Sequence, residues 1–317
     1  MAPLSGKVQR NHYLYTYICH EDEEDLCKLE LRTLFGDIIW RNDRCFESSR
    51  RIEPDRSPFI KQRLLVTKEA ASLDEMDVLM DGFQPLQGTF KVVCLKTNRE
   101  VTYGEQRSIE RRIGAKIRGI ADMRHPDQLF GVASVEGRWL FGELMQIETG
   151  WQRHHDKPQR YSTALSDKVA RTVANIAVPQ PEGIKAVDPC CGIGTVLLEA
   201  LSMNINIIGY DINPLAVRGA RANLTYYGYP DVVRVADLGE LNGDFDVVIV
   251  DFPYNVCSII TNDELIRMLQ QARKIAQRAV FVTVEPIDRF IQSSGWMIQD
   301  RCIVHKSSFA RQIIVCE

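Results

Sequence analysis

An acid, a phenylalanine, a proline and a tyrosine stand together at Asp251-Phe252-Pro253-Tyr254, directly after the largely apolar run Phe245 to Val250. The exocyclic amine of a nucleobase is a poor nucleophile, because its lone pair is delocalised into the ring. A carboxylate and a neighbouring backbone carbonyl can accept its two N–H bonds, localise that pair and stabilise the charge that develops during attack. A tyrosine ring can stack on the base and hold its nitrogen in line with a methyl donor. Asp251, the Pro253 carbonyl and Tyr254, with Phe252 between them, are therefore the candidate catalytic group for methyl transfer to a planar amine. Singly, Asp251 would read as a strand-capping acid and Tyr254 as an ordinary half-buried ring. The residues upstream decide between these readings.

Ile184 to Asp188 reads as a short buried strand, Pro189-Cys190-Cys191-Gly192-Ile193-Gly194 as a tight loop, and Thr195 to Leu201 as a helix. Glycines let backbone approach a ligand closely, and the helix N-terminus adds partial positive charge. A second strand ends at Asp211, about 20 residues beyond the loop, where an acid commonly accepts hydrogen bonds from ribose hydroxyls. Ile212 follows, then Asn213 as a helix cap with Pro214 at the first helical position. A third strand, Val232 to Val235, ends near Asp237 and Leu238. Asp188, Asp211, Asp237 and Asp251 thus close four successive strands, on the sheet edge where open α/β folds bind ligands. The candidate cofactor residues are Asp188, Pro189, Cys190, Gly192, Gly194, Thr195, Asp211, Ile212, Asn213, Asp237 and Leu238. A dinucleotide fold would add a third glycine at position 197, which is Leu here. S-adenosylmethionine carries no phosphate and needs no such cradle; its sulfonium supplies the leaving group, so no metal is required.

At 317 residues the chain can hold two or three domains, and 45% apolar with 26% charged residues is an ordinary globular composition. Its apolar stretches are shorter than the roughly 20 residues that span a bilayer, and Met1 to Arg10 has no apolar signal core. Nine cysteines without a C-x-x-C pair point to reduced thiols in the cytoplasm rather than a disulfide frame or zinc site. The net charge of −3 gives no global basic field. Locally, Arg107, Arg111, Arg112, Lys116 and Arg118 fall in a basic stretch whose Ile109, Ile113 and Ile117 would face a core. That stretch reads equally as a solvated helix or as a phosphate-contacting face. The acidic run Glu21 to Asp25 opens a helix that ends at Gly36. His154 and His155 read as surface residues of a linker.

The loop at 188–195, the tetrad at 251–254, and the approach from Arg160 and Tyr161 through Arg171 and Asn175 resemble one family: the THUMP-containing tRNA guanosine-N2 methyltransferases, which modify the guanosine at position ten. The family usually has Asp-Pro-Pro-Tyr, and Phe252 departs from it. Losing that proline should leave the loop looser or differently shaped. The resemblance implies a Rossmann-like class I methyltransferase with a seven-stranded mixed sheet over residues 161–317, closed by a hairpin near Val304 and Ile313. Ahead of it are expected an N-terminal ferredoxin-like module at 1–60, an α+β THUMP-like RNA-binding domain at 61–147 and a linker at 148–160. It further implies S-adenosylmethionine as cofactor, with Asp188 at its amino-acid end and Asp237 near its adenine, and tRNA as partner. RNA contacts would come from Arg107, Arg111, Arg112, Lys116, Arg118 and Arg160. Eukaryotic members work with a small partner protein; the sequence shows neither its docking surface nor an oligomeric state. Three alternatives stand beside this reading: methylation of another amine in rRNA, DNA or a small molecule, a catalytically weak tRNA-binding protein that keeps the cofactor fold, and a nicotinamide oxidoreductase.

Overall fold

The computed structural model describes residues 11–97, 101–147, 150–161, 164–252, 261–306 and 309–317. Contacts divide the chain into two units: Met1–Ile18, Asp37–Asp55 and Phe59–Glu148 form the first, and Cys19–Gly36, Arg56–Pro58 and Thr149–Glu317 the second.

The first unit is one eight-stranded sheet with two helices. Its elements are β1 (Tyr13–Tyr17), β2 (Ile39–Trp40), β3 (Cys45–Ser48), β4 (Ile60–Ala70), α2 (Leu73–Met80), β5 (Thr89–Cys94), α3 (Tyr103–Gly114), β6 (Ile120–Ala121), β7 (Gln128–Val135) and β8 (Arg138–Gln146); α1 (Glu24–Phe35) is carried by the second unit. The order is β2-β3-β1-β4-β8-β7-β5-β6, antiparallel except where β5 pairs with β7 and β6. Positive φ at Glu136 and Gly137 makes the tight β7–β8 turn. A boundary at residue 60 is not a boundary of the fold. β1 and β3 are in one sheet with β4, because alternate apolar residues such as Leu14 and Leu64 bury a shared core with Leu140. The basic helix is also shorter than its spacing suggested. Thr102 and Glu105 start α3 with a reciprocal capping box, and it stops at Gly114, so Lys116 and Arg118 lie beyond its end.

The second unit carries α1, α4 (Asp167–Ala177), β9 (Lys185–Asp188), α5 (Thr195–Ser202), β10 (Asn206–Asp211), α6 (Pro214–Tyr226), β11 (Val233–Val235), β12 (Phe245–Asp251), α7 (Asn262–Ile275), β13 (Ala276–Thr283), α8 (Asp288–Ser293), β14 (Ile298–Lys306) and β15 (Phe309–Cys316). Its seven strands run β11-β10-β9-β12-β13-β15-β14. The first five are parallel, and β15 runs antiparallel between β13 and β14. This is the seven-stranded mixed sheet expected of the methyltransferase fold. Strand order reverses at β9, so a crevice opens beyond the C-terminal ends of β9, β10 and β12. Apolar runs such as Val247 to Val250 are wholly buried, as strands covered on both faces must be.

α1 is fixed to this unit by buried polar contacts. Glu30 accepts hydrogen bonds from Asn175 Nδ2 (2.6 Å) and Ser57 Oγ (2.5 Å), and the Arg32 guanidinium is bidentate on Asp300 at 2.6 and 2.7 Å. The segment expected as a linker is folded as well: Gly150–Asp156 forms a 3-10 turn. His154, expected at the surface, is fully buried, with Nδ1 2.8 Å from Glu199 and its ring edge-on to Tyr227. Arg171 donates to the other Glu199 oxygen at 2.9 Å, so the buried acid has its ionic partner. Among the described residues, no helix is long and apolar enough to cross a membrane.

Candidate active site

β9 delivers Asp188 to the crevice, and the chain then turns through Gly192 (φ 54°) and Gly194 (φ 78°) into α5. Both glycines adopt left-handed backbone, which other residues adopt at a cost. Gly194 also lets α6 approach: a Cβ there would stand 3.2 Å from the Ala220 Cβ. The loop is held from β10, where Asp211 Oδ2 accepts the Gly192 N–H at 2.8 Å and Asp211 Oδ1 the Asn213 N–H at 2.8 Å. Asn213 in turn caps α6 through the Leu215 N–H, with Pro214 at the first position. Asp237 caps a 3-10 turn, accepting the Gly239 N–H at 2.6 Å.

These strand ends surround a cleft of about 830 Å³. Of the predicted cofactor residues, Asp188, Pro189, Cys190, Gly192, Thr195, Asp211, Ile212, Asn213, Asp237 and Leu238 line it, and Asp251 and Phe252 line it too. Gly194 does not; it packs behind the loop on Ala220. Pro253 and Tyr254 lie outside the described residues.

Asp251 Oδ1 is buried and has no hydrogen-bond partner among the described residues. An orphaned carboxylate oxygen lining a cleft is a strong sign of a ligand donor. Burial pushes the Asp251 carboxyl up to about 7, against the opposing charge of Arg311. Asp188 is raised well above the usual carboxylate range, chiefly by burial and also by the charges of Asp251 and Asp211, while the Cys190 N–H works the other way. Burial likewise raises the Cys190 and Cys191 thiols, which remain neutral packing groups around the loop. Thr195 Oγ1 is a second buried cleft atom without a partner among the described residues. Five acidic side chains (Asp188, Asp211, Asp237, Asp251 and Glu264) face one cationic side chain, Arg267, among the described lining residues. Such a cleft suits a ligand carrying positive charge and repels a pyrophosphate. The Gly192 N–H is moreover already taken by Asp211, so it is not offered to a phosphate.

The loop beyond Phe252, expected to be looser, lies outside the described residues, but Phe252 itself is anchored. Its N–H donates to the Val282 carbonyl at 2.9 Å, a bond proline cannot make, and its ring is buried 5.6 Å from that of Phe281. Glu264, Arg267 and Met268 on α7 line the cleft without having been foreseen. The Thr261-x-x-Glu264 capping box that starts α7 was readable and would have placed that helix's first turn beyond the β12 end.

The predicted RNA residues lie away from one another in role. Arg107 pairs with Glu110 at 2.8 Å, Arg112 with Asp74 and Asp77, and Lys116 with Asp81. Arg160 donates to the Lys157 carbonyl and stands 3.6 Å from Asp156. Arg111 and Arg118 are exposed and pair with no acid among the described residues.

Residues 154–285 match the model of the UPF0020 family, described as RMKL-like, methyltransferase domain. The chain is 30% identical over 203 residues to a tRNA (guanine(10)-N2)-dimethyltransferase of Methanothermobacter thermautotrophicus, covering 59% of this chain and 58% of the relative. It is 28% identical over 193 residues to the protein of that name from Pyrococcus abyssi, covering 56% of each. The chain thus spans a little over half the length of the curated relatives it matches. Among solved structures, TrmN from Thermus thermophilus shares the fold, with a TM-score of 0.51 and 17% identity over 96% of this chain and 99% of that one. The segment that builds the cleft thus matches the UPF0020 methyltransferase-domain model, and the two relatives that share it carry the name tRNA (guanine(10)-N2)-dimethyltransferase.

Proposed function

We propose that the chain transfers a methyl group from S-adenosylmethionine to the N2 amine of a guanosine in tRNA, at position ten by analogy with the relatives' names. The observation that carries this reading is the orphaned, buried Asp251 oxygen in the cleft that the glycine loop and Asp211 also line. When bound, the donor supplies an electrophilic methyl on a cationic sulfur, and the acid-lined cleft complements that charge. Asp211 takes the ribose hydroxyls, Asp237 and Leu238 flank the adenine, and Asp188 meets the amino-acid end. Gly192, Thr195, Ile212 and Asn213 complete that wall, with Pro189 and Cys190 behind the sulfur.

The guanine is turned out of its stack, at a cost of a few kcal/mol, and its amine is held by the ionised Asp251. In this reading the Pro253 carbonyl accepts the second N–H, Tyr254 stacks on the base, and Phe252 fixes the height of the strand end. The N2 lone pair takes the methyl as the carbon–sulfur bond breaks, releasing S-adenosylhomocysteine, and Asp251 accepts the proton that the methylated amine sheds. The first unit is read as the THUMP-like RNA-presenting region, with Arg111 and Arg118 its available cations and Arg160 beside the cleft entry. Eight described cysteines, all free, agree with a reducing, cytoplasmic setting.

Incubation with tritiated S-adenosylmethionine and unmodified tRNA, followed by digestion to nucleosides, tests the assignment. Label in N2-methylguanosine that is lost in Asp251→Asn is the expected result. Label in a methylated adenosine, or equal labelling of DNA, would replace it.

A further inference from the structure

The glycine loop is gripped from behind by a side chain outside every motif. Asn223, on α6, is fully buried. Its Nδ2 donates to the Ile193 carbonyl at 3.0 Å and to the Gln159 carbonyl at 3.1 Å, and its Oδ1 accepts the Gln159 N–H at 2.8 Å. One turn earlier, Gly219 faces the same two neighbours. A Cβ there would stand 3.3 Å from Ile193 Cγ2 and 3.7 Å from Gln159 Cβ. Residues four apart share a helix face, so one stripe of α6 touches both segments twice.

Both segments reach the cleft. Ile193 lies between the two left-handed glycines, and Gln159 leads into Arg160 and Tyr161, of which Tyr161 lines the cleft. A peptide flanked by glycines has little intrinsic preference for its orientation, so something else must set it. We propose that Asn223 is a positioning residue: by pinning the Ile193 peptide to the Gln159 segment, it holds the donor-binding rim in its binding geometry. The inference rests on the S-adenosylmethionine reading above. Without the two Nδ2–H donors, the buried Ile193 carbonyl loses its partner and turns in search of another. The Gly192 N–H, in the same turn, then leaves its place against Asp211.

Asn223→Asp preserves size and the acceptor for Gln159 N–H but removes both donors. Binding of S-adenosylhomocysteine to the full chain, by calorimetry, should weaken about tenfold or more. KM for S-adenosylmethionine should rise in step, while KM for tRNA stays within about twofold, a split that general loss of structure would not produce. Gly219→Ala keeps every hydrogen bond and presses the Ile193 side chain by a few tenths of an ångström. It should give a smaller rise in the same constant, which keeps the idea testable if the first variant folds poorly. Wild-type affinity in both variants, or an equal rise in the two KM values, would overturn the role of Asn223. No binding of S-adenosylhomocysteine by the unaltered chain would instead overturn the donor assignment.

Discussion

An ionised carboxylate accepts an amine N–H, and its proton, far better than a neutral carboxyl does, and burial pushes Asp251 up to about 7. kcat/KM for the donor should therefore rise with pH through about 7 and then level off. The donor's positive charge favours the ionised acid, so the midpoint of kcat should lie below that of kcat/KM. Asp251→Asn should abolish this limb and lower kcat by about 10²–10⁴-fold with donor affinity largely kept. A flat profile between pH 6 and 8 would contradict this account of Asp251. The acids at 188, 211, 237 and 251 were legible because each ends an apolar run, and a charge at that place has few structural uses. His154 and Asn223 were not legible. A buried polar residue looks like a surface one until its partners are known, and here Glu199 and Gln159 stand 45 and 64 residues away.

The site depends on where β12 ends, and Phe252 sets that end. Restoring the family's proline by Phe252→Pro would remove the hydrogen bond to Val282 and the ring packing against Phe281. Urea denaturation should show a loss of about 2–4 kcal/mol, and activity should fall rather than improve. Equal stability with higher turnover would mean that Phe252 constrains the site without supporting it. The parallel strands were readable because strands covered on both faces are continuously apolar, as in Val247 to Val250. The extent of α3 was not, because Ile117 continues the apolar spacing past the point where Gly114 ends the helix. Nor was the pairing of β1 with β4, since pairing partners are set by tertiary packing rather than by local pattern.

At the scale of the whole molecule, the proposed RNA binding by a chain of net charge −3 would rest on local cations. Arg112 and Lys116 are engaged with Asp74, Asp77 and Asp81, whereas Arg111 and Arg118 are not. The double variant Arg111→Glu, Arg118→Glu should raise KM for tRNA about tenfold and flatten its salt dependence, with S-adenosylhomocysteine affinity unchanged. Arg112→Ala should act mainly on the stability of the first unit, through the lost contact between α2 and α3. If KM for tRNA responds equally to all four positions, the whole basic stretch is the contact face.

The account stands on a two-amino group meeting a methyl donor beside Asp251, and one substitution in the RNA addresses it directly. Inosine differs from guanosine by the absence of that amine alone. A tRNA with inosine at position ten should bind the protein as well as the unaltered tRNA does and accept no methyl from labelled S-adenosylmethionine. Undiminished labelling of the inosine-containing tRNA would contradict the claim that the guanosine N2 at that position is the nucleophile.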